Sequence, residues 1–147
     1  MDVGMIGFGA MGSAMAGHII ERRGHKVHAF DVDPARLQEA RNLGAAPVAS
    51  PAALGPPARL IIVMVATDEQ VRQVVRETCA SAQPGTLFAI ASTIDPRTMT
   101  ALDEIVRETG QRVIDAPVCS GLAGAQEGAL VSLCGARTRT WRRPGTR

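Results

Sequence analysis

The chain has 147 residues, 46% of them hydrophobic, with a mean hydropathy of +0.07 and a formal net charge of +2. That length suits one domain able to bury a core without disulfides or metal, and no apolar run approaches the roughly 20 residues that span a bilayer. The charge is uneven: residues 1–136 carry a net −3, and residues 137–147 a net +5 from Arg137, Arg139, Arg142, Arg143 and Arg147.

Residues 3–6 read as a first strand, weakened locally by Gly4. Residues 10–23 read as a helix, with Met11, Ala14, Met15 and Ile19 at spacings of three and four and Gly24 as its stop. Residues 26–30 form a second strand. Asp33-Pro34 then supplies an N-cap and a proline at the first helical position, opening a helix to Leu43 that Gly44 ends. Ser50-Pro51 repeats the signal for a short turn. Residues 59–65 are apolar on both faces after Arg59, the pattern of a central parallel strand.

Thr67-Asp68-Glu69-Gln70 fits a capping box ahead of a helix bearing Val71, Val74 and Val75. A turn at residues 83–86 leads to a buried strand at 87–91. Asp95-Pro96 opens a helix running to about residue 109, with Gly110 as its stop, and residues 112–116 make a further strand. Strands alternating with helices of this length imply an α/β domain, doubly wound and Rossmann-like, with a mainly parallel sheet and helices on both faces. Residues 117–128, with three glycines and no periodicity, read as an ordered loop, and residues 129–134 as a last strand. Residues 137–147 cannot bury enough apolar surface to offset their ordering entropy, so they read as a basic, disordered tail.

Gly7-Phe8-Gly9-Ala10-Met11-Gly12 is a G-x-G-x-x-G sequence placed between the first strand and the first helix. In that context Gly7 permits the tight turn, Gly9 lets the backbone approach a pyrophosphate, and Gly12 allows close helix–strand packing. The pyrophosphate would lie against the unpaired N–H groups of the helix. Asp31 ends the second strand, nineteen residues after Gly12, where an acid accepts from adenosine ribose hydroxyls. A carboxylate there repels a 2′-phosphate, so NAD is favoured, with NADP left open. Val65-Ala66-Thr67 and Ala91-Ser92-Thr93 fall at the carboxyl edge of the sheet. Thr67 and Ser92 read as helix caps, whereas Thr93 does not. Residues 1–136 are thus expected to form a dinucleotide-binding domain.

Ile6-Gly7-Phe8-Gly9-Ala10-Met11-Gly12-Ser13-Ala14-Met15-Ala16 resembles the signature of the β-hydroxyacid dehydrogenases, the 3-hydroxyisobutyrate dehydrogenase-like group. Ser92-Thr93-Ile94-Asp95-Pro96 resembles that family's Ser-Thr-x-x-Pro segment, whose threonine approaches the nicotinamide. Asp115-Ala116-Pro117-Val118-Cys119-Ser120-Gly121, followed by Gly124-Ala125 and Gly128, is similar to its substrate loop. The resemblance implies an oxidoreductase that moves hydride between a nicotinamide cofactor and a small 3-hydroxy acid. Cys119, Ser120 and Gly121 would then bind substrate, and Gly7 to Gly12, Asp31, Val65, Ala66 and Thr93 the cofactor.

Several departures stand out. Cys119 and Ser120 occupy the family's serine and first glycine, and Met64-Val65-Ala66 replaces its Met-Leu-Pro. Cys119 has no His or Asn partner, so a space-filling thiol is the simpler reading than a nucleophile. The family's acid/base is a lysine on the helix leading into a second, all-helical domain that also builds the dimer. Here Lys26 is the only lysine, and it stands before the second strand. The catalytic lysine, the helical domain and most of the dimer interface are therefore expected to be absent, as in a truncated or frame-shifted fragment that binds cofactor without turnover. A third reading is a nucleic-acid arm, with the five tail arginines on phosphates and Trp141 stacking on a base.

Cys79, Cys119 and Cys134 form neither a disulfide framework nor a ligand set, and His18, His25 and His28 lack a carboxylate or thiol to complete a metal site. No signal-peptide pattern or membrane span appears, so a reduced cytoplasmic setting is the default.

Overall fold

A computed structural model describes residues 1–135, so the tail expected at 137–147 lies outside the described residues. The chain alternates as expected, with one further strand, β3, that the sequence does not predict: β1 (Asp2–Ile6), α1 (Ala10–Arg23), β2 (Lys26–Phe30), α2 (Pro34–Leu43), β3 (Ala46–Pro47), a single 3-10 turn (Pro51–Leu54), β4 (Leu60–Val63), α3 (Asp68–Cys79), β5 (Leu87–Ile90), α4 (Pro96–Glu108) and β6 (Arg112–Asp115). These six strands form one sheet in the order β3-β2-β1-β4-β5-β6, every adjacent pair parallel. The order steps outward from β1 in both directions, which is the doubly wound arrangement.

Each sheet face has its own core, because successive strand side chains point to opposite sides. Val3, Met5, Phe8, Val27, Ala29 and Ile62 pack with Ala16 of α1 and Ala40 of α2. Ile6, Ile61, Val63, Phe88 and Ile90 pack on the other face with Val71, Val75, Leu102 and Val106 of α3 and α4. All but one of these seventeen central side chains is less than 2% exposed; Ile62, at 8%, is the exception. No helix among the described residues is long and apolar enough to cross a membrane.

The caps act as their sequence suggests. Asp33 accepts from Ala35 N–H, Asp95 from Arg97 N–H, and Thr67 and Gln70 close a reciprocal box at α3. Gly24 and Gly44 end α1 and α2 in the left-handed conformation.

The segment expected as a loop at 117–128 is a correction. It contains β7 (Val118–Cys119) and α5 (Gly121–Glu127), and β7 pairs antiparallel with β8 (Val131–Ser132), shorter than the strand expected at 129–134. The ladder continues as an Asp115–Gly135 bridge at the sheet edge. Its helix forms by packing: Gly124 and Ala125 are buried, and the His18 Nε2 of α1 lies 2.9 Å from the Gln126 carbonyl oxygen.

Candidate functional site

The turn from β1 into α1 contains three glycines with different physical reasons. Gly7 has φ +88°, and a Cβ there would fall on the Met64 carbonyl oxygen. A Cβ at Gly12 would fall on the carbonyl oxygen of Gly7. The chain's own backbone therefore requires both. Gly9 differs: its φ of −66° and ψ of −173° suit any residue, and a Cβ there would meet nothing within 4 Å. Nothing among the described residues demands glycine at that point.

Gly9 also occupies the N-cap of α1, which has no side-chain cap and no acid in its first turn. The other three long helices, α2, α3 and α4, are each capped by a side chain. The exposed end of α1 thus keeps its N–H groups and positive pole open, a setting suited to an anion.

Asp31, half-buried at the end of β2, faces this turn. Its Oδ2 accepts from Phe8 N–H at 2.6 Å and its Oδ1 from Asp33 N–H at 2.9 Å. The acid thus braces the glycine turn. The Phe8 side chain is fully buried in the core, so only its backbone belongs to the site. Arg36, close enough to raise the question of a positive charge beside Asp31, donates to both oxygens of Glu39 at 2.9 and 3.1 Å.

A cleft of about 330 Å³ opens here along the carboxyl edge of the sheet. Of the residues singled out from the sequence, Gly7, Gly9, Asp31, Val65 and Ala66 line it. Phe8, Ala10, Met11 and Gly12 flank the same turn without lining the cleft, and Thr93 is exposed just past β5. Sequence reasoning missed the opposite wall, where α3 contributes Gln70, Gln73, Val74 and Glu77. Their spacing of three and four was the available signal, masked because it reads as a solvated helix face. Among the described residues, no Lys, Arg or His lines the cleft.

The loops after β4 and β5 are tied together. The Ser92 hydroxyl accepts from Val65 N–H and donates to the Val65 carbonyl, both at 2.8 Å. Ser92 is therefore a buried brace and not a cap, whereas Thr67 does cap α3. The Arg97 guanidinium and backbone N–H beside Asp95 hold its carboxyl down to about 2, so that cap stays charged at ordinary pH.

Cys119, Ser120 and Gly121 lie apart from the cleft lining, all exposed, where β7 turns into α5. Ser120 is the only described non-glycine residue with positive φ, at +84°. Its Cβ also limits Gly124, where an added Cβ would lie 2.5 Å away. Holding a serine there costs about 1–2 kcal/mol. Ser120→Gly is expected to raise stability by roughly 0.5–1 kcal/mol after the added unfolded-chain entropy, read by urea titration and by slower amide exchange across α5.

Burial pushes the Asp115 carboxyl up, and the buried Cys79 thiol up to about 11. Cys119 and Cys134 are free and exposed. Among the described residues no group of three His, Cys, Asp or Glu could hold a metal ion. Lys26 is exposed at the amino end of β2, the edge of the sheet opposite the cleft.

The family model for the NAD binding domain of 6-phosphogluconate dehydrogenase matches residues 2–145. The chain belongs to that family. Among relatives of this NAD-binding domain, L-threonate dehydrogenase of Cupriavidus necator is 35% identical over 135 residues, covering 90% of this chain and 45% of the relative. The structure of Mycobacterium tuberculosis 3-hydroxyisobutyrate dehydrogenase with L-serine superposes with a TM-score of 0.90 at 30% identity, over 95% of this chain and 47% of that one. Psf3 in complex with NADP+ and 2-OPP gives a TM-score of 0.84 at 28% identity, over 93% of this chain and 49% of that one. The NAD-binding domain therefore spans about half the length of the relatives it matches.

Proposed function

We propose that this chain binds a nicotinamide dinucleotide along the carboxyl edge of its sheet, as the cofactor half of a 3-hydroxyisobutyrate dehydrogenase-like oxidoreductase for a small hydroxy acid. The observation that carries this reading is the uncapped end of α1 at Gly9, whose missing side chain serves no contact within the protein. The L-threonate and 3-hydroxyisobutyrate relatives support the hydroxy-acid class.

The backbone of Gly7, Phe8, Gly9, Ala10, Met11 and Gly12 forms the pyrophosphate turn, and Asp31 holds the ribose hydroxyls. Val65 and Ala66 line the cleft beyond it, with Thr93 assigned to the nicotinamide end. Cys119, Ser120 and Gly121 form the substrate loop. NAD is favoured over NADP because Asp31 presents a carboxylate to a cleft that no cation among the described residues lines, while Glu39 engages Arg36. When bound, the cofactor supplies hydride acceptance and donation at its nicotinamide ring.

Residues 1–136 make up the binding unit. The only lysine, Lys26, stands at the opposite sheet edge, so no lysine of this chain moves the substrate's hydroxyl proton. Lack of such a group costs about 10²–10⁴-fold in rate, so these residues alone bind without appreciable turnover.

Fluorescence titration of the purified chain is expected to show saturable NADH binding, tighter than NADPH, with no reduction of NAD by 3-hydroxyisobutyrate or glycerate. A folded sample that binds neither dinucleotide would overturn the reading. Steady turnover would overturn its non-catalytic part.

A further inference from the structure

The α3 wall of the cleft is unexplained by the glycine turn and by the family motifs alike. Gln70, Gln73, Val74 and Glu77 lie on one helix face about 10 Å long, beside Gly9 and Asp31 in the same cavity. Gln70 is already employed: its Oε1 accepts from the N–H groups of Ala66 and Thr67. Gln73 and Glu77 have no part in capping. Gln73 Nε2 donates to Glu77 Oε1 at 2.9 Å, which orients the carboxylate, and Glu77 Oε2 accepts from no described residue.

The next residue fixes the surroundings. Thr78 Oγ1 donates to the carbonyls of Val74 and Pro51 at 2.7 and 3.3 Å, packing this turn of α3 against the 3-10 turn. Pro51, Val74 and Glu77 together form one corner of the cleft. That corner offers apolar walls, one charged acceptor and no cation. It suits a flat base whose edge donates a hydrogen bond. A 6-amino purine presents such a donor, whereas a 6-oxo purine presents an acceptor to the carboxylate.

We propose that Glu77, oriented by Gln73, selects adenine by accepting a hydrogen bond from its 6-amino group. The proposal rests on the dinucleotide reading of the cleft and adds a specificity residue to it. The probes are NADH and reduced nicotinamide hypoxanthine dinucleotide, which differ by 6-amino against 6-oxo and by the proton that the 6-oxo base carries at N1. The parent chain is expected to bind NADH about fivefold or more tightly than the hypoxanthine analogue, within the range of one net hydrogen bond. In Glu77→Gln, whose amide can donate as well as accept, that ratio falls to near one while NADH still binds. Gln73→Ala narrows the ratio partway, since it only releases the carboxylate.

Far-UV circular dichroism confirms folding of each variant, as both positions are exposed. Equal binding of the two dinucleotides by the parent chain would overturn the proposal, as would an unchanged ratio in Glu77→Gln. Binding of neither by the folded parent would instead overturn the dinucleotide reading beneath it.

Discussion

Gly9→Ala is expected to leave the thermal midpoint within about 3 °C of the parent and to weaken NADH binding by at least about tenfold. An added Cβ meets open space within the protein and a backbone angle that alanine tolerates. Alanine is the poorer N-cap, but it also reduces the freedom of the unfolded chain, and the two effects roughly offset. Only a group seated against the end of α1 feels the methyl.

The same substitution one turn away behaves oppositely. Gly7→Ala and Gly12→Ala drive a methyl onto backbone carbonyl oxygens of Met64 and Gly7, atoms that no rotamer change can move aside. Each is expected to cost about 3 kcal/mol or more, a large fraction of the 5–15 kcal/mol typical of a domain. Urea titration and NADH fluorescence on the three variants separate the two kinds of glycine. A Gly9→Ala chain that binds NADH like the parent would remove the main support for an anion at α1.

Asp31→Asn is expected to lower NADH affinity about tenfold and to bring NADPH affinity within about threefold of it. The carboxylate opposes a 2′-phosphate by like charge, and its removal ends that opposition. It also supports the turn, because Phe8 N–H and Asp33 N–H occupy one oxygen each. An amide keeps one of these bonds and sets its NH₂ against the other donor. That mismatch costs about 1–2 kcal/mol of stability, read as a lower urea midpoint. An unchanged NADH-to-NADPH ratio would show that Asp31 supports the turn without selecting the cofactor.

The parts legible in the sequence are those whose signal is local. Asp33-Pro34, Asp95-Pro96 and the Thr67–Gln70 box cap helices by bonds within three residues, so their spacing states the structure. The alternation from β1 to β6 follows from runs of apolar residues such as Leu60-Ile61-Ile62-Val63. The helix α5 is legible only through α1: it carries Gly121 and Gly124 and lasts seven residues, so packing decides what propensity does not. The strand β3 is two residues long, Ala46–Pro47, below any periodicity.

The site divides in the same way. The glycine turn and Asp31 follow from position along the chain, and the cleft confirms that Gly7, Gly9 and Asp31 come together. That Ser92 braces Val65 across 27 residues could not be read from its neighbours, which suggested a cap. Gln73 and Glu77 look like any exposed pair at i and i+4 until the fold places α3 across from β2.

The strand order also bears on how the domain is made. With β1 between β2 and β4, the strands up to β3 build one wing of the sheet, and those from β4 to β6 build the other. As a nascent chain emerges, each new strand finds its neighbour already synthesised, and none must wedge between two strands already paired. The crossovers are slow contacts of long sequence separation, yet they can close one at a time from the N-terminus. Growth from a central first strand thus suits assembly on the ribosome, with the glycine turn among the earliest parts complete.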